Sequence, residues 1–477
     1  MSLGRTVLSS IVAISLASCG GGGSGGNGGS TSGPVTGGGT TSGGTAGNEC
    51  SLASRQQFVR ETLDEWYLFP ELLAANVNPS SFATVQDYID ALVAPARAQS
   101  KDRFFTYLTS IREENELINS GASAGFGIRL GYDTANGRLF VLEAFENGPA
   151  FGFGIDRGSE IIEIEGASVA RLFETGGPEA VTNALGPNTS GVSRALRVRQ
   201  PDGTVIAPQV TKADFALDPV SDRYGVQIID NDGTQVGYIN LRTFIVRDAE
   251  QQLRNAFTQF RAAGINQVVL DLRYNGGGLV SVAEVLGDLM LRDQVGQVFS
   301  RTVLRPSKSS ENSTDLVSAQ AEAVQVMKLA VIGRGGTASA SELVTNSMIP
   351  YLGNDLTLVG ANTFGKPVGQ FAFDRSACDD RLRAVTFKTV NRDNQGEYFT
   401  GLASVVPNTC VARDDIVYQL GNRNETSLNT ALLALRGVSC PAITTAQQRG
   451  VQSLEGRQTL LQPERPNAAQ VNIPGLY

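Results

Sequence analysis

Two short stretches concentrate the chemistry of this chain. One is Thr337-Ala338-Ser339-Ala340-Ser341-Glu342; the other, past an apolar run, is Asn362-Thr363-Phe364-Gly365-Lys366-Pro367-Val368-Gly369-Gln370. The 477 residues include no histidine. A serine nucleophile must then give its proton to something other than imidazole, and a Ser-His-Asp triad or a His-dependent metal site is excluded. Lysine is the remaining base near neutral pH, provided burial lowers its pKa from about 10.4 towards about 7. Six lysines occur, at 101, 212, 308, 328, 366 and 388; the other cations are arginines, which keep their protons. Lys366 is the only charge between Leu356 and Gln370, and Val359, Phe364, Val368 and Phe371 supply apolar neighbours. Gln370, four residues on, can orient the amine.

Ser339 falls between a strand signal and a helix signal. A helix N-terminus there would favour the negative charge that acyl transfer develops on the nucleophile and on the oxyanion. Ser339 with Glu342 also fits the S-x-x-E capping box, so the serine could serve only as a helix cap. The turn Asn275-Gly276-Gly277-Gly278, after an apolar strand, offers backbone donors suited to an oxyanion hole. Gly121-Ala122-Ser123-Ala124-Gly125 matches the G-x-S-x-G elbow, but without histidine it makes no triad.

These residues need a scaffold, and from about Asp214 the pattern alternates strand and helix. Strands are expected at Val236–Leu241, Gln267–Leu272, Lys328–Ile332 and Leu356–Val359. Helices are expected at Ala249–Ala263, Leu279–Met290 and Glu342–Ile349. Before them, Phe58, Leu63, Trp66 and Tyr67, then Val85, Tyr88, Ile89 and Leu92, follow helical spacing, and the sole Trp is expected in the core. From Gly121 the texture turns to strands and glycine, with a turn at Asn136-Gly137.

Residues 121–205 resemble a bacterial PDZ domain. The resemblance rests on Gly125-Phe126-Gly127-Ile128, Gly148-Pro149-Ala150, Gly154-Ile155, Gly158-Ser159 and Ile161-Ile162-Glu163-Ile164-Glu165-Gly166. It implies that Gly125, Phe126, Gly127 and Ile128 receive a peptide's C-terminus, the peptide adding as a strand.

Over about residues 55–435 the chain is similar to the C-terminal processing, or tail-specific, serine peptidases, through Gly237-Tyr238-Ile239, Asp271–Gly278, Thr337–Glu342 and Thr363–Lys366 with Gln370. By that resemblance Ser339 is the nucleophile, Lys366 the general base and Gln370 the third member, with the amides of Gly277 and Ala340 as oxyanion donors. The expected fold is an α/β protease core of parallel or mixed sheet with helices, a β-rich PDZ domain and a small N-terminal helical domain. Thr337 stands where the family has serine, and the Ser339–Lys366 connection is about two residues longer than common.

Residues 1–19 read as a signal peptide whose Leu16-Ala17-Ser18-Cys19 resembles a lipobox, with Cys19 lipidated. Gly20 after it implies sorting to the outer membrane, facing the periplasm or the cell surface. A Gly/Ser-rich tether covers 20–48. The remaining division is 49–120 helical, 121–205 PDZ-like, 206–440 peptidase core and 441–477 a polar, peripheral extension. Four cysteines follow Cys19, and in an exported chain they suggest disulfides. Cys378–Cys410 and Cys50–Cys440 are the expected pairs, because Cys50 and Cys440 bracket the globular part.

A net charge of −8 without a basic run argues against nucleic acid. No cofactor or metal is expected; the partners are polypeptides with accessible C-termini and, through the lipid, a membrane. The main rival is a non-catalytic lipoprotein of the same fold binding a peptide or apolar ligand. A β-lactamase-like enzyme lacks its S-x-x-K, and a nucleotide-binding domain lacks both glycine fingerprints.

Overall fold

The computed structural model describes residues 49–133, 135–444 and 459–477; the expected signal peptide, Cys19 and the tether lie outside them. The described residues belong to one compact unit.

Helices α1 (Leu52–Trp66) and α2 (Val85–Leu92) form where the helical spacing placed them, with Ser51 and Thr84 capping their first turns. Their apolar faces, through Val59, Leu63, Tyr88, Ile89 and Leu92, share a core with Val368, Leu382, Ala384 and Val385. The helical layer is therefore packed on the strands that follow Lys366. Trp66 is only partly buried, beside Phe371 and Phe373, with the Lys308 ammonium 3.9 Å above its ring.

After α3 (Ile111–Ser120) the chain enters a β-rich unit through Ala122–Gly125, which pairs with Ala213–Ala216 on the way out. Between them lie β1 (Ile128–Asp133), β2 (Arg138–Ala144), β3 (Glu160–Ile164), helix α4 (Val169–Leu185) and β4 (Ser193–Arg199). The hairpin β1–β2 closes at Asn136-Gly137, with Gly137 at φ 58° as such a turn requires. Buried ion pairs weld this unit to the rest. Arg157 meets Asp414 at 2.6 Å, and Arg242 reaches Glu143 and Glu146 at 2.7 and 2.9 Å.

The core sheet runs β5 (Val226–Asn231), β6 (Thr234–Asn240), β7 (Gln267–Asp271), β8 (Lys328–Gly333), β9 (Leu356–Gly360) and finally β12 (Asn408–Val411). Only β5–β6 is antiparallel. The inner strands are apolar throughout because helices cover both faces. One cluster gathers α5 (Ala249–Ala262), α6 (Val280–Met290) and α7 (Ala340–Leu352); the opposite one holds α8 (Thr426–Leu435). A second, antiparallel sheet contains β10 (Val368–Arg375) and β11 (Asp380–Asn391). The long Ser339–Lys366 connection is absorbed by a helix reaching Leu352 and a short turn at Gly353–Asp355.

Two expectations fail. The disulfides are Cys50–Cys378 and Cys410–Cys440, not Cys378–Cys410 and Cys50–Cys440. Docking of α1 onto β10 and β11 brings Cys50 beside the hairpin tip at Cys378. Likewise α8 folds back over the sheet, so that Pro441 pairs with Val411 and Cys440 meets Cys410. The end of the chain is not peripheral either. Leu461, Ile473, Leu476 and Tyr477 are at most 1% exposed, held against β1.

Candidate active site

The loop after β8 turns sharply into α7, and Ser339 occupies the turn at φ 55°, ψ −115°, a conformation few L-residues adopt. The adjoining loop after β7 holds it there. The Asn275 carbonyl accepts both the Ala338 amide (3.1 Å) and the Ser341 hydroxyl (3.0 Å). Thr337 donates to the Leu272 carbonyl at 2.7 Å, a structural task.

The residue that organises the site is Glu342, fully buried in the first turn of α7. One carboxylate oxygen accepts the Thr363 hydroxyl (2.5 Å) and the Gly365 amide (2.7 Å). The other accepts the amides of Lys366 (2.7 Å) and Ser339 (3.1 Å). Burial raises this carboxyl above its usual range, and the four donors oppose that rise. The motif signalled Glu342 as half of a capping box; its reach across to the lysine loop is a tertiary property.

Lys366 Nζ donates to Gln370 Oε1 at 3.0 Å and lies 4.9 Å from the centroid of the Phe105 ring. The Gln370 amide is turned to present oxygen to the lysine because its Nε2 donates to the Phe105 carbonyl at 2.7 Å. A register shift between Gly369 and Gln370 against β11 sets that side chain. Burial pushes the Lys366 ammonium down to about 8, against a smaller upward pull from Asp102. Arg103 donates to the carbonyls of Phe364 and Gly365, at 2.5 and 2.7 Å. Asp102, Arg103 and Phe105 were missed in the sequence, where nothing connects them to a residue over 260 positions away.

Ser339 and Lys366 are thus joined through one carboxylate, while no hydrogen bond links Ser339 Oγ to Lys366 Nζ in this state. A second lysine, the fully buried Lys212, is pushed down to about 7 by burial and then by Arg194. Its Nζ is occupied by Gly186 O, Pro187 O and Asn188 Oδ1, at 2.8, 3.0 and 2.8 Å.

The Asn275–Gly278 turn lies against Ser339: a Cβ on Gly277 would come 2.7 Å from Ser339 Cβ. In this structure the Gly277 amide is donated to Asn275 Oδ1 at 2.9 Å. Asn275, at the corner of the turn, satisfies that amide locally. Ala340, as the first residue of α7, has an N–H outside the helical ladder and faces no such competition. Gly125, Phe126, Gly127 and Ile128 gather at the start of β1, beside residues 473–477.

Residues 235–407 match Peptidase family S41, and residues 54–107 match the Peptidase S41 N-terminal domain. The chain therefore carries peptidase family S41 domains. A carboxyl-terminal-processing protease of Picosynechococcus is 29% identical over 259 residues, 54% of this chain and 58% of the relative. The protein of the same description from Synechocystis is 27% identical over 264 residues, 55% of this chain and 57% of the relative. The chain therefore spans less than two-thirds of the length of these curated relatives. A crystallised S41 protease of Bacteroides fragilis shares the fold, with a TM-score of 0.63 at 22% identity over 80% of this chain and 97% of that one.

Proposed function

We propose that the chain is a serine endopeptidase of the bacterial cell envelope that hydrolyses exported polypeptides. In this reading neutral Lys366 takes the Ser339 hydroxyl proton as Oγ attacks a peptide carbonyl. The Ala340 amide steadies the oxyanion at the helix N-terminus. Lys366 then passes its proton to the leaving amine, and water, deprotonated by the same lysine, releases the acyl group from Ser339. Gln370 holds the lysine for both transfers. The single observation that carries this is the Glu342 carboxylate, which ties the backbone of a strained serine to that of a lysine whose pKa burial brings near neutrality. Similarity to carboxyl-terminal-processing proteases supports the same chemistry.

The β-rich unit serves in this proposal as a PDZ domain. Flexible C-termini add as a strand along β1, with Gly125 to Ile128 at the receiving end. Lipidation at Cys19 and the tether 20–48 would hold the protein at the outer membrane, and two disulfides suit an exported chain.

The test is incubation of residues 49–477 with an unfolded protein, and mass spectrometry of the fragments. Cleavage by the wild type, lost in Ser339→Ala and in Lys366→Arg with melting temperatures retained, is the expected result. Persistent cleavage in either variant removes the assignment. Unchanged substrate with the wild type would favour the non-catalytic, ligand-binding reading.

A further inference from the structure

The last residues of the chain lie as an extra strand on the edge of β1. Tyr477 N–H donates to Ile128 O at 2.9 Å, Ile128 N–H to Tyr477 O at 3.1 Å, and Leu130 N–H to Gly475 O at 2.8 Å. Leu476 bridges Arg129 in antiparallel register. Further along the same edge Thr459 and Leu460 pair with Tyr132 and Gly131, and Leu461 N–H reaches Leu130 O at 2.9 Å. Side chains alternate as strand geometry requires. The Tyr477 ring, 1% exposed, enters the cluster of Phe126, Ile128, Val181 and Leu185, and its hydroxyl is 3.1 Å from Thr182 Oγ1. Leu476 points the other way, among Phe145, Ile245 and Val246. Two glycines permit the fit: a Cβ on Gly125 would lie 2.8 Å from the Tyr477 carbonyl carbon, and Gly475 is at φ 83° with no room beside Leu130 O.

The same segment also reaches the loops around the nucleophile. Asn472, ending the short helix α9 (Ala468–Asn472), accepts the Gly276 amide at 3.2 Å, and Pro474 packs on Gly276. Leu460 packs against Gly336, in the loop leading to Ser339. From Tyr477 back to Asn472 the tail therefore runs from the β1 groove to the turn beside Ser339, the course a substrate gripped by its end would take.

We propose that residues 473–477 are a resident ligand of the β1–α4 groove, so that a polypeptide substrate must displace the chain's own tail before it can be cut. This rests on the groove being the substrate receptor, as proposed above, and it specifies the ligand class. The groove takes an extended segment with glycine, then an apolar residue, then an aromatic residue carrying a hydroxyl. Tethering gives the tail a high effective concentration, so only substrates of matching sequence or high local abundance compete.

The experiment uses residues 49–477 and a fluorescent peptide of the sequence of residues 472–477, Asn-Ile-Pro-Gly-Leu-Tyr. In the Ser339→Ala background, the double variant Leu476→Ala/Tyr477→Ala should bind the peptide at least tenfold tighter than the chain with its tail intact. With Ser339 restored, the double variant should show KM for an unfolded substrate reduced about tenfold, and the peptide should inhibit it competitively. Equal peptide binding by intact and altered tails, with equal KM, overturns the proposal. Should the double variant unfold, hydrogen exchange on the unaltered chain decides. Saturating peptide should accelerate exchange at the Tyr477 amide while leaving Leu270 protected, and a Tyr477 amide that stays protected overturns the inference. The binding arm needs no proteolysis: tighter binding without cleavage fails the peptidase reading alone, and cleavage without any tail effect fails this one alone.

Discussion

Lys366 and Glu342 meet backbone to side chain: the Lys366 amide donates to the Glu342 carboxylate at 2.7 Å, and that same oxygen accepts the Ser339 amide. The spacing of the Ser339 and Lys366 backbones is thus governed by a third residue, Glu342. Glu342→Gln keeps the shape but turns an NH2 towards some of the four donors. The expected outcome is a stability loss of about 2–4 kcal/mol. A fall in kcat of at least tenfold should accompany it, with KM changed less. Thermal unfolding and steady-state kinetics check both; a variant with wild-type kcat refutes the linking role.

The pH dependence of turnover should report Lys366. The productive form is the free amine, and the ammonium is pushed down only to about 8. Below that pH, kcat/KM should fall about tenfold per pH unit, and above it the rate should level off. A profile that is flat from pH 6 to 9, measured with a substrate that does not titrate there, excludes the lysine as base.

Backbone conformation at Ser339 gives a pair of opposite expectations. Ser339→Gly removes the penalty of a side chain at φ 55° and should raise stability by about 1 kcal/mol while abolishing cleavage. Gly277→Ala should do the reverse of helping. Gly277 sits at φ 109°, and its new methyl would press on Ser339 Cβ, so stability and turnover should both drop, the latter at least tenfold. Calorimetry and a cleavage assay on each variant test the pair.

The Cys50–Cys378 bridge pins α1 to the hairpin of β10 and β11, whose partner helices and the 102–105 segment wall the lysine. Cys50→Ser with Cys378→Ser should cost about 2–4 kcal/mol. Looser packing of that layer admits water to Lys366, so the inflection in the rate profile should move from about 8 towards the ordinary lysine value. An unmoved inflection would mean the helical layer stays docked without the bridge.

Local pattern determined much of this protein. Periodicity over ten to fifteen residues marked the strands β6, β7, β8 and β9 and the helices between them, with ends off by a few residues. The order strand, turn, Ser339, helix was legible because an apolar run, a break and a capping signal are neighbours in the chain. Lys366 stood out since burial of a lone lysine has a chemical consequence that burial of an arginine lacks. What no window could show were contacts made by docked faces. Cysteine pairing followed where α1 and α8 came to rest, not which cysteines bracket the chain. Asn275 claimed the Gly277 amide through a turn two residues wide, a competition invisible to a motif that sees only glycines. Asp102 and Phe105 became walls of the lysine site, and a polar tail became a strand in a groove. Such pairings between distant residues depend on which surfaces fit once all elements have formed, and that complementarity exists only in three dimensions.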